Sequence, residues 1–334
     1  MGAAEGSAGA PQISVCIASA GRRSGLARAL RALAAQALPA GLRFETLVVD
    51  NSAAGGLREA LEAEGPPLPG LRWLREPEPN VALARNAALD AAAGAWLAFV
   101  DDDEEPAPDW LAAYWRAAQA HPADGYFGPV RPRFEPGPGA PQALLRRHAR
   151  PRHATGAWVP RAELRSGNAF LRASLLRGRR FDREFGLGGG EDSELFGRLQ
   201  AGGALFVWCD EAAVVEWLPR ERQRARWLLR RSYRAGISAT RLAWRSGGPT
   251  AALRGLPRAL LGCAIAALRL ALALPRGSEA ALARARDGAL QLGHLAAYLV
   301  SARRALASAI QPPSSSDAPS SPTPSAARPG TAGS

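Results

Sequence analysis

The chain has 334 residues and a formal charge of +12, and every one of its basic residues is arginine. That length holds one large α/β unit and an appendage, and its three cysteines, with no metal-ligand spacing among them, exclude a disulfide-stapled scaffold and read as buried thiols of a reducing compartment. Between Pro219 and Arg304 seventeen Arg stand against Glu221, Glu279 and Asp287, a net of +14, so the remainder sums to −2 and a basic module is joined to a nearly neutral one.

Residues 1–11 are rich in Gly, Ala and Ser and are expected to be disordered. No basic segment leads into an apolar core of signal-peptide length, since Ile13–Ala18 is too short, and the catalytic part is expected in the cytosol. Ile13–Ala18 reads as a buried strand, and Ser24–Ala37 as a helix with Leu26, Leu30 and Leu33 on one face. Phe44–Val49 and Leu71–Leu74 are the next strands. Asn80 can cap a helix that runs to Gly94, where glycine suits a left-handed exit. Trp96–Val100 is a third strong strand, followed by a helix over Asp109–Ala120. Apolar strands alternating with crossover helices predict an α/β fold with a mostly parallel sheet covered on both faces.

Phe127–Phe185 is Pro-rich and reads as irregular, an acceptor-side or lid region. Glu191–Ala201 is a helix closed by Gly202 and Gly203. A long amphipathic helix is expected over Glu221–Arg245, with two further helical stretches at Ala251–Leu274 and Ala280–Ala309. Within the first of these, Ala259–Leu268 is an apolar core of about half the ~20 residues that span a bilayer, flanked by Arg258 and Arg269. It reads as interfacial or packed against protein, with a tilted or oligomeric membrane insertion as the alternative. Residues 311–334 form a Ser/Pro-rich tail that cannot bury enough apolar surface to order itself. The expected division is thus 12–218 for the catalytic unit and 219–310 for a basic helical extension.

Ser19, Asp50–Asn51 and Asp101–Asp103 each stand where an apolar strand ends, and in open α/β sheets ligands bind beyond the carboxyl ends of strands. The run D-D-D-E-E at Asp101–Glu105 is five adjacent carboxylates, a cluster that needs solvent or a cation. Hard divalent ions such as Mg²⁺ or Mn²⁺ bind through one or two carboxylates together with substrate phosphates. Without such an ion, an acidic crevice of this kind would repel phosphate. Glu191–Asp192 open a helix after G-L-G-G-G, where carboxylates either cap the helix or face a substrate that the glycines let approach.

Five motifs in sequence now carry a resemblance: V-C-I-A-S at Val15–Ser19, V-V-D-N-S at Val48–Ser52, A-L-A-R-N-A at Ala82–Ala87, F-V-D-D-D-E at Phe99–Glu104 and G-G-E-D-S-E-L at Gly189–Leu195. Over roughly Ile13–Arg234 the chain resembles glycosyltransferase family 2 on the GT-A nucleotide-diphospho-sugar transferase fold, most of all its succinoglycan-biosynthesis type of bacterial enzyme. The resemblance implies a nucleotide-diphosphate sugar donor, with Ser19 beside the nucleotide, Asp50 on the base and Arg85 on base or phosphates. It implies Asp101 and Asp103 as the metal-holding D-x-D pair for Mn²⁺ or Mg²⁺, with Asp102 between them on the donor side. Asp192 would be the general base, Glu191 its acceptor-side neighbour, and Asn168 part of the acceptor pocket. Family members commonly stack an aromatic residue of the first loop on the base, whereas this chain has Ala20 and Gly21.

Q-R-A-R-W at Gln223–Trp227 matches the Q-x-x-R-W pattern of processive members, which implies Gln223 and Arg226 at the pyrophosphate and Trp227 stacked on the acceptor sugar. The acceptor is expected to be a glycan or a polyprenyl-linked sugar, reached from the inner face of the plasma membrane through an anionic surface that the basic segment would meet. No nucleic acid is expected, because the arginines lack the interleaved aromatics of such a site. Two rival readings are a sugar-1-phosphate nucleotidylyltransferase and a non-catalytic basic membrane-docking protein.

Overall fold

The computed structural model describes residues 10–62, 68, 70–136 and 151–310, apart from the side chains of 246–254 and 301–310. Apart from residues 10 and 11, the ends expected to be disordered lie outside the described residues.

An alternating run opens the chain: β1 (Ile13–Ser19), α1 (Arg23–Ala34), β2 (Phe44–Asp50), α2 (Leu57–Glu62), β3 (Leu71–Arg75), α3 (Val81–Ala91) and β4 (Trp96–Phe99). Its four strands pair in parallel in the order β3-β2-β1-β4. The register sets Ser19 opposite Asp50, so the polar ends of β1 and β2 stand side by side, as the strand-end rule requires. Alternation divides the core between the two faces. Ile13, Val15, Ile17 and Ala98 pack with Trp110 and Tyr114 on one side, while Cys16, Leu47, Leu97 and Phe99 pack with Phe196 on the other. Asn80 caps α3 as expected, its side chain accepting from Ala82 N at 3.0 Å and Leu83 N at 3.4 Å.

The second half continues with β5 (Glu104–Pro106), α4 (Trp110–Ala120), β6 (Gly125–Phe127), β7 (Val130–Phe134), β8 (Ala169–Arg172), α5 (Glu191–Ala201), β9 (Phe206–Trp208) and β10 (Val214–Leu218). The region expected to be irregular therefore contains two strands. β8 enters the main sheet between β4 and β6, antiparallel to both. Its four residues are too few for periodicity to announce, yet Phe170 stacks between Trp96 at 4.7 Å and Tyr114 at 5.1 Å. A second sheet in the order β5-β10-β7 begins directly after Asp103 and holds that turn from behind.

Two long helices close the described chain, α6 (Ala225–Ala273) and α7 (Ser278–Ile310). The helix expected from Glu221 starts at Ala225, preceded by a single 3-10 turn over Arg220–Gln223. Between Arg245 and Ala251, where a break was expected, the backbone stays helical. It nevertheless reverses direction there. A side chain at Gly236 would strike Leu290 O and one at Gly262 would strike Gln291 Oε1, both in the same turn of α7. Twenty-six residues of straight helix would hold those two glycines about 39 Å apart. Trp244 and Gly255 likewise both meet Tyr298. The bend falls at Gly247-Gly248-Pro249, the residue types that kink helices, and α6 has two arms packed on α7. By length and composition Gly255–Arg276, 22 residues with mean hydropathy 1.6, is long and apolar enough to cross a membrane, about twice the apolar length read for Ala259–Leu268.

Candidate active site

A crevice of about 1020 Å³ opens beyond the ends of β1 and β4, walled by the turn after β4, the glycine run before α5, the first arm of α6 and His294 of α7. The turn is held rigid from several sides. Glu104 accepts from Asp101 N at 2.9 Å, and Trp217 N of β10 donates to Asp103 O at 2.9 Å. Gly167 lies close beneath it, where a Cβ would come within 2.7 Å of Glu104 Oε1 and 3.0 Å of Asp101 Oδ2.

The three aspartates of the turn differ. Asp102 points inward: Ser19 Oγ donates to it at 2.6 Å and Arg22 Nη1 at 2.5 Å. Burial pushes its carboxyl up to about 6, against the pull of Arg22. Asp103 faces the crevice between two guanidinium groups, Arg222 at 2.5 Å and Arg22 at 3.3 Å. Asp101 faces the crevice with its side chain 40% exposed and accepts from Arg85 Nη2 at 3.0 Å.

Across the crevice, Gly190 takes φ 100° immediately before α5, a left-handed conformation that glycine adopts without strain, and Glu191 and Asp192 form the first turn. Gly190 at the cap position has no side chain to offer, and Asp192 takes the free first-turn N–H of Ser193. Glu191 turns into the protein and pairs with Arg85, while its other oxygen, Oε2, is buried without a partner. Burial raises the Glu191 carboxyl above its ordinary range, although Arg85 pulls it down. Burial would lower the Arg85 guanidinium, but Glu191, Asp101 and Asp192 outweigh it and hold it firmly charged. Asp192 faces the crevice and accepts from Ser193 N at 2.7 Å, Ser193 Oγ at 3.4 Å and Ser166 N at 3.3 Å, all uncharged donors.

Of the expected site residues, Asp101, Asp103, Arg85, Glu191, Asp192 and Trp227 line this crevice. Ser19 and Asp102 stand directly behind it. Asp50 is turned to its own loop, accepting from Ser52 N at 2.9 Å, Ser52 Oγ at 2.6 Å and Leu57 N at 3.2 Å. These bonds outweigh its burial and lower its carboxyl.

Two expectations, for Gln223 and Arg226, are corrected, and that for Asn168 is narrowed: it lines a pocket beside the crevice that shares Arg165, Gly167 and Arg231 with it. Asn168 does not offer its amide to an acceptor: Oδ1 accepts from Trp110 Nε1 at 2.8 Å and Tyr114 OH at 2.6 Å, and Nδ2 donates to Pro129 O and Ala212 O, which exhausts the group. The Gln223 amide is buried and donates to Glu135 O and Leu218 O at 2.9 and 3.0 Å, away from the crevice. Arg226 is exposed outside it, because the crevice-facing side of α6 runs Trp227, Arg230, Arg231, Arg234 at i, i+3, i+4, i+7. The guanidinium of Arg231 lies 5.2 Å from the Trp227 ring centroid and that of Arg222 5.8 Å.

Sequence reasoning missed Arg22, Arg161, Arg165 and Arg222, all on the crevice wall. Arg22 carried a signal, its position three residues past a strand end beside Gly21; the others carried none that separates them from the chain's many arginines. Together eight arginines line the crevice against five carboxylates. The expectation of an acidic crevice that repels phosphate is therefore reversed: its surplus is positive and suits a diphosphate. Among the described residues no group of three or more His, Cys, Asp or Glu is drawn together to hold a metal. Asp101 and Asp103 fit the lesser demand of Mg²⁺ or Mn²⁺, two carboxylates completed by phosphate oxygens and water.

Residues 14–177 match the sequence model of the family described as Glycosyl transferase family 2. The succinoglycan biosynthesis protein ExoM of Rhizobium meliloti (strain 1021) is 36% identical over 227 residues, 66% of this chain and 72% of that protein. The glycosyltransferase AglE of Haloferax volcanii is 32% identical over 102 residues, 30% of this chain and 33% of its own length. Among solved structures, S. aureus TarS 1-349 in complex with UDP-GlcNAc aligns with 87% of this chain and 92% of its own at 19% identity and a TM-score of 0.49.

Proposed function

This chain belongs to glycosyl transferase family 2, and on that footing we propose that it transfers a sugar, with inversion, from a nucleoside diphosphate donor to a hydroxyl of a glycan or polyprenyl-linked acceptor. The observation that carries the reading is one guanidinium, Arg85, tying Asp101 of the donor-side turn to Glu191 on the helix start that presents Asp192. The donor corner and the proton acceptor thereby share one rigid frame.

In the displacement, the acceptor oxygen attacks the anomeric carbon from the face opposite the diphosphate as Asp192 takes its proton. The bond from that carbon to the phosphate oxygen breaks, and the diphosphate leaves with the electron pair. Arg22 and Arg222 are set to meet the charge it carries away. Mg²⁺ or Mn²⁺ held by Asp101, Asp103 and the diphosphate would neutralise more of that charge. No covalent intermediate is needed. Similarity to a succinoglycan biosynthesis protein supports a role in exopolysaccharide assembly, and the +14 segment supports work at the anionic cytoplasmic face of the plasma membrane.

The test is a panel of nucleotide sugars incubated with and without acceptor and divalent metal, with nucleoside diphosphate release and product anomeric configuration read by NMR. Release that depends on acceptor and metal, with inverted configuration, is expected. Retained configuration would sink the displacement, chelator-insensitive turnover the metal, and release of inorganic pyrophosphate would point instead to a nucleotidylyltransferase.

A further inference from the structure

The second arm of α6 is packed inside out. In water, an antiparallel helix pair buries leucine in its seam and shows polar residues outside. Here the seam against α7 is made of Gly255, Ala259, Gly262 and Ala266, at i, i+4, i+7 and i+11; both alanines are buried, and a Cβ at either glycine would strike Tyr298 or Gln291. The large side chains point out: Leu260 is 52% exposed, Leu261 61%, Ile265 40%, Leu268 61% and Leu272 57%. Small residues between helices and large apolar ones outside are the arrangement of helices in lipid.

The charges set the orientation. Arg258 and Arg269 are eleven residues apart, about three turns, so both stand along one edge of the apolar face. Both are exposed and form no ion pair with the described residues. From Gly255 to Arg276 there is no Asp or Glu. A second copy of the chain would therefore bring like charges to this face, whereas anionic headgroups would complement it. A span is disfavoured because the facing stretch of α7 carries Arg284, Arg286 and Asp287, which a spanning pair would drag into the hydrocarbon.

We infer that Gly255–Ala273 lies in the plane of an anionic bilayer surface, with Leu261, Ile265, Leu268 and Leu272 in the acyl region and Arg258 and Arg269 at the phosphates. This deepens the proposed location at the membrane and rests on it. It also gives the arm a purpose, since α7 both backs it and reaches the crevice at Leu290 and His294.

Flotation of the full-length chain with phosphatidylglycerol/phosphatidylethanolamine vesicles, and with phosphatidylcholine vesicles, tests the inference. Wild type should float with the anionic vesicles and far less with the neutral ones. Leu261→Ser/Leu268→Ser should lower anionic-vesicle partitioning about tenfold or more at any salt, and Arg258→Gln/Arg269→Gln should lower it by a similar factor at low salt only. Wild-type partitioning of the leucine variant overturns the inference. So does a lipid-free dimer that the leucine variant abolishes, which would make the face a contact between copies, and so does resistance of the bound protein to alkaline carbonate, which would mean a span. Transfer to a soluble acceptor is read in parallel. Its loss in every protein with lipid binding intact would instead condemn the reading of the crevice.

Discussion

Two acidic groups face each other across the crevice, and they are treated oppositely by their surroundings. The Asp101–Asp103 turn is saturated with cations: Arg85 on Asp101, and Arg22 and Arg222 on Asp103. Asp192, at the start of α5, receives only uncharged donors, Ser193 N, Ser193 Oγ and Ser166 N, and forms no ion pair with the described residues. A carboxylate clamped by guanidinium groups is a poor proton acceptor, because taking a proton would strand the arginines. One held by neutral donors keeps its orientation and has no counter-charge to strand. The contrast teaches that carboxylates of one crevice divide into a binding group and a reacting group by what pairs with them, not by residue type.

The sharpest way to break this comparison is Asp192→Asn, which preserves size and one of the two accepting oxygens but cannot take a proton. Turnover should fall by ~10²–10⁴, the usual worth of a general base, with donor affinity and melting temperature close to wild type. Steady-state kinetics beside calorimetry would show it. Turnover within a few-fold of wild type would return Asp192 to a purely structural part.

Arg85→Gln attacks the link between the two groups. It leaves Glu191 buried and unpaired, and breaking a buried pair from one side costs about 3–5 kcal/mol. The sign of the pH dependence follows from Glu191, whose carboxyl is already raised by burial and would rise further without the guanidinium. A group with a raised folded-state value is at ease when protonated, so the loss should be full well above that value and shrink as pH falls toward the ordinary glutamate range. Thermal unfolding from neutral to mildly acidic pH measures this. A deficit that is independent of pH would mean that Glu191 carries none of it.

Asp103→Ala removes one of two proposed metal ligands and the closest partner of Arg222, while Arg22 keeps Asp102. Titration calorimetry should show nucleoside diphosphate binding in Mn²⁺ weakened by about ten- to hundredfold, the worth of one charge-assisted contact. Binding without metal should change less or improve, because Arg222 loses its 2.5 Å partner and can turn to phosphate while Arg22 stays on Asp102. Equal affinity with and without metal in both proteins would remove the ion from the mechanism.

How much of this was legible beforehand depended on whether a signal was carried by pattern or by residue type. The β1–α1–β2 and α3–β4 stretches were readable because apolar alternation and the Asn80 cap are patterns, and the strand-end rule then located Ser19, Asp101 and Asp103. Strand β8 was not readable: Ala169–Arg172 is four residues, too short to show a period, and its place depends on Trp96 and Tyr114, distant in sequence. The arginines of the crevice were hidden for another reason. In a chain whose every basic residue is arginine, the side chain that meets phosphate looks like any other. The inside-out arm of α6 was half legible, its apolar run visible but not which face it turns to α7.

Gln223 sharpens the comparison at its weakest point, because pattern and structure disagree there. Motif matching puts its amide at the pyrophosphate, yet its Nε2 joins Glu135 O and Leu218 O, tying the end of β7 to the end of β10 just before α6 begins. That position controls where the first arm of α6 leaves the second sheet, and so where Arg222 and Trp227 stand, without touching substrate. Gln223→Ala should therefore cost about 1 kcal/mol for lost buried hydrogen bonds, visible as a lowered melting temperature, while kcat at saturating donor stays within about twofold of wild type. The opposite split, an unchanged melting temperature with kcat/KM reduced by more than tenfold, would mean that the amide turns to the diphosphate when donor binds. The arginine-lined wall would then have to move during the reaction rather than wait in place for it.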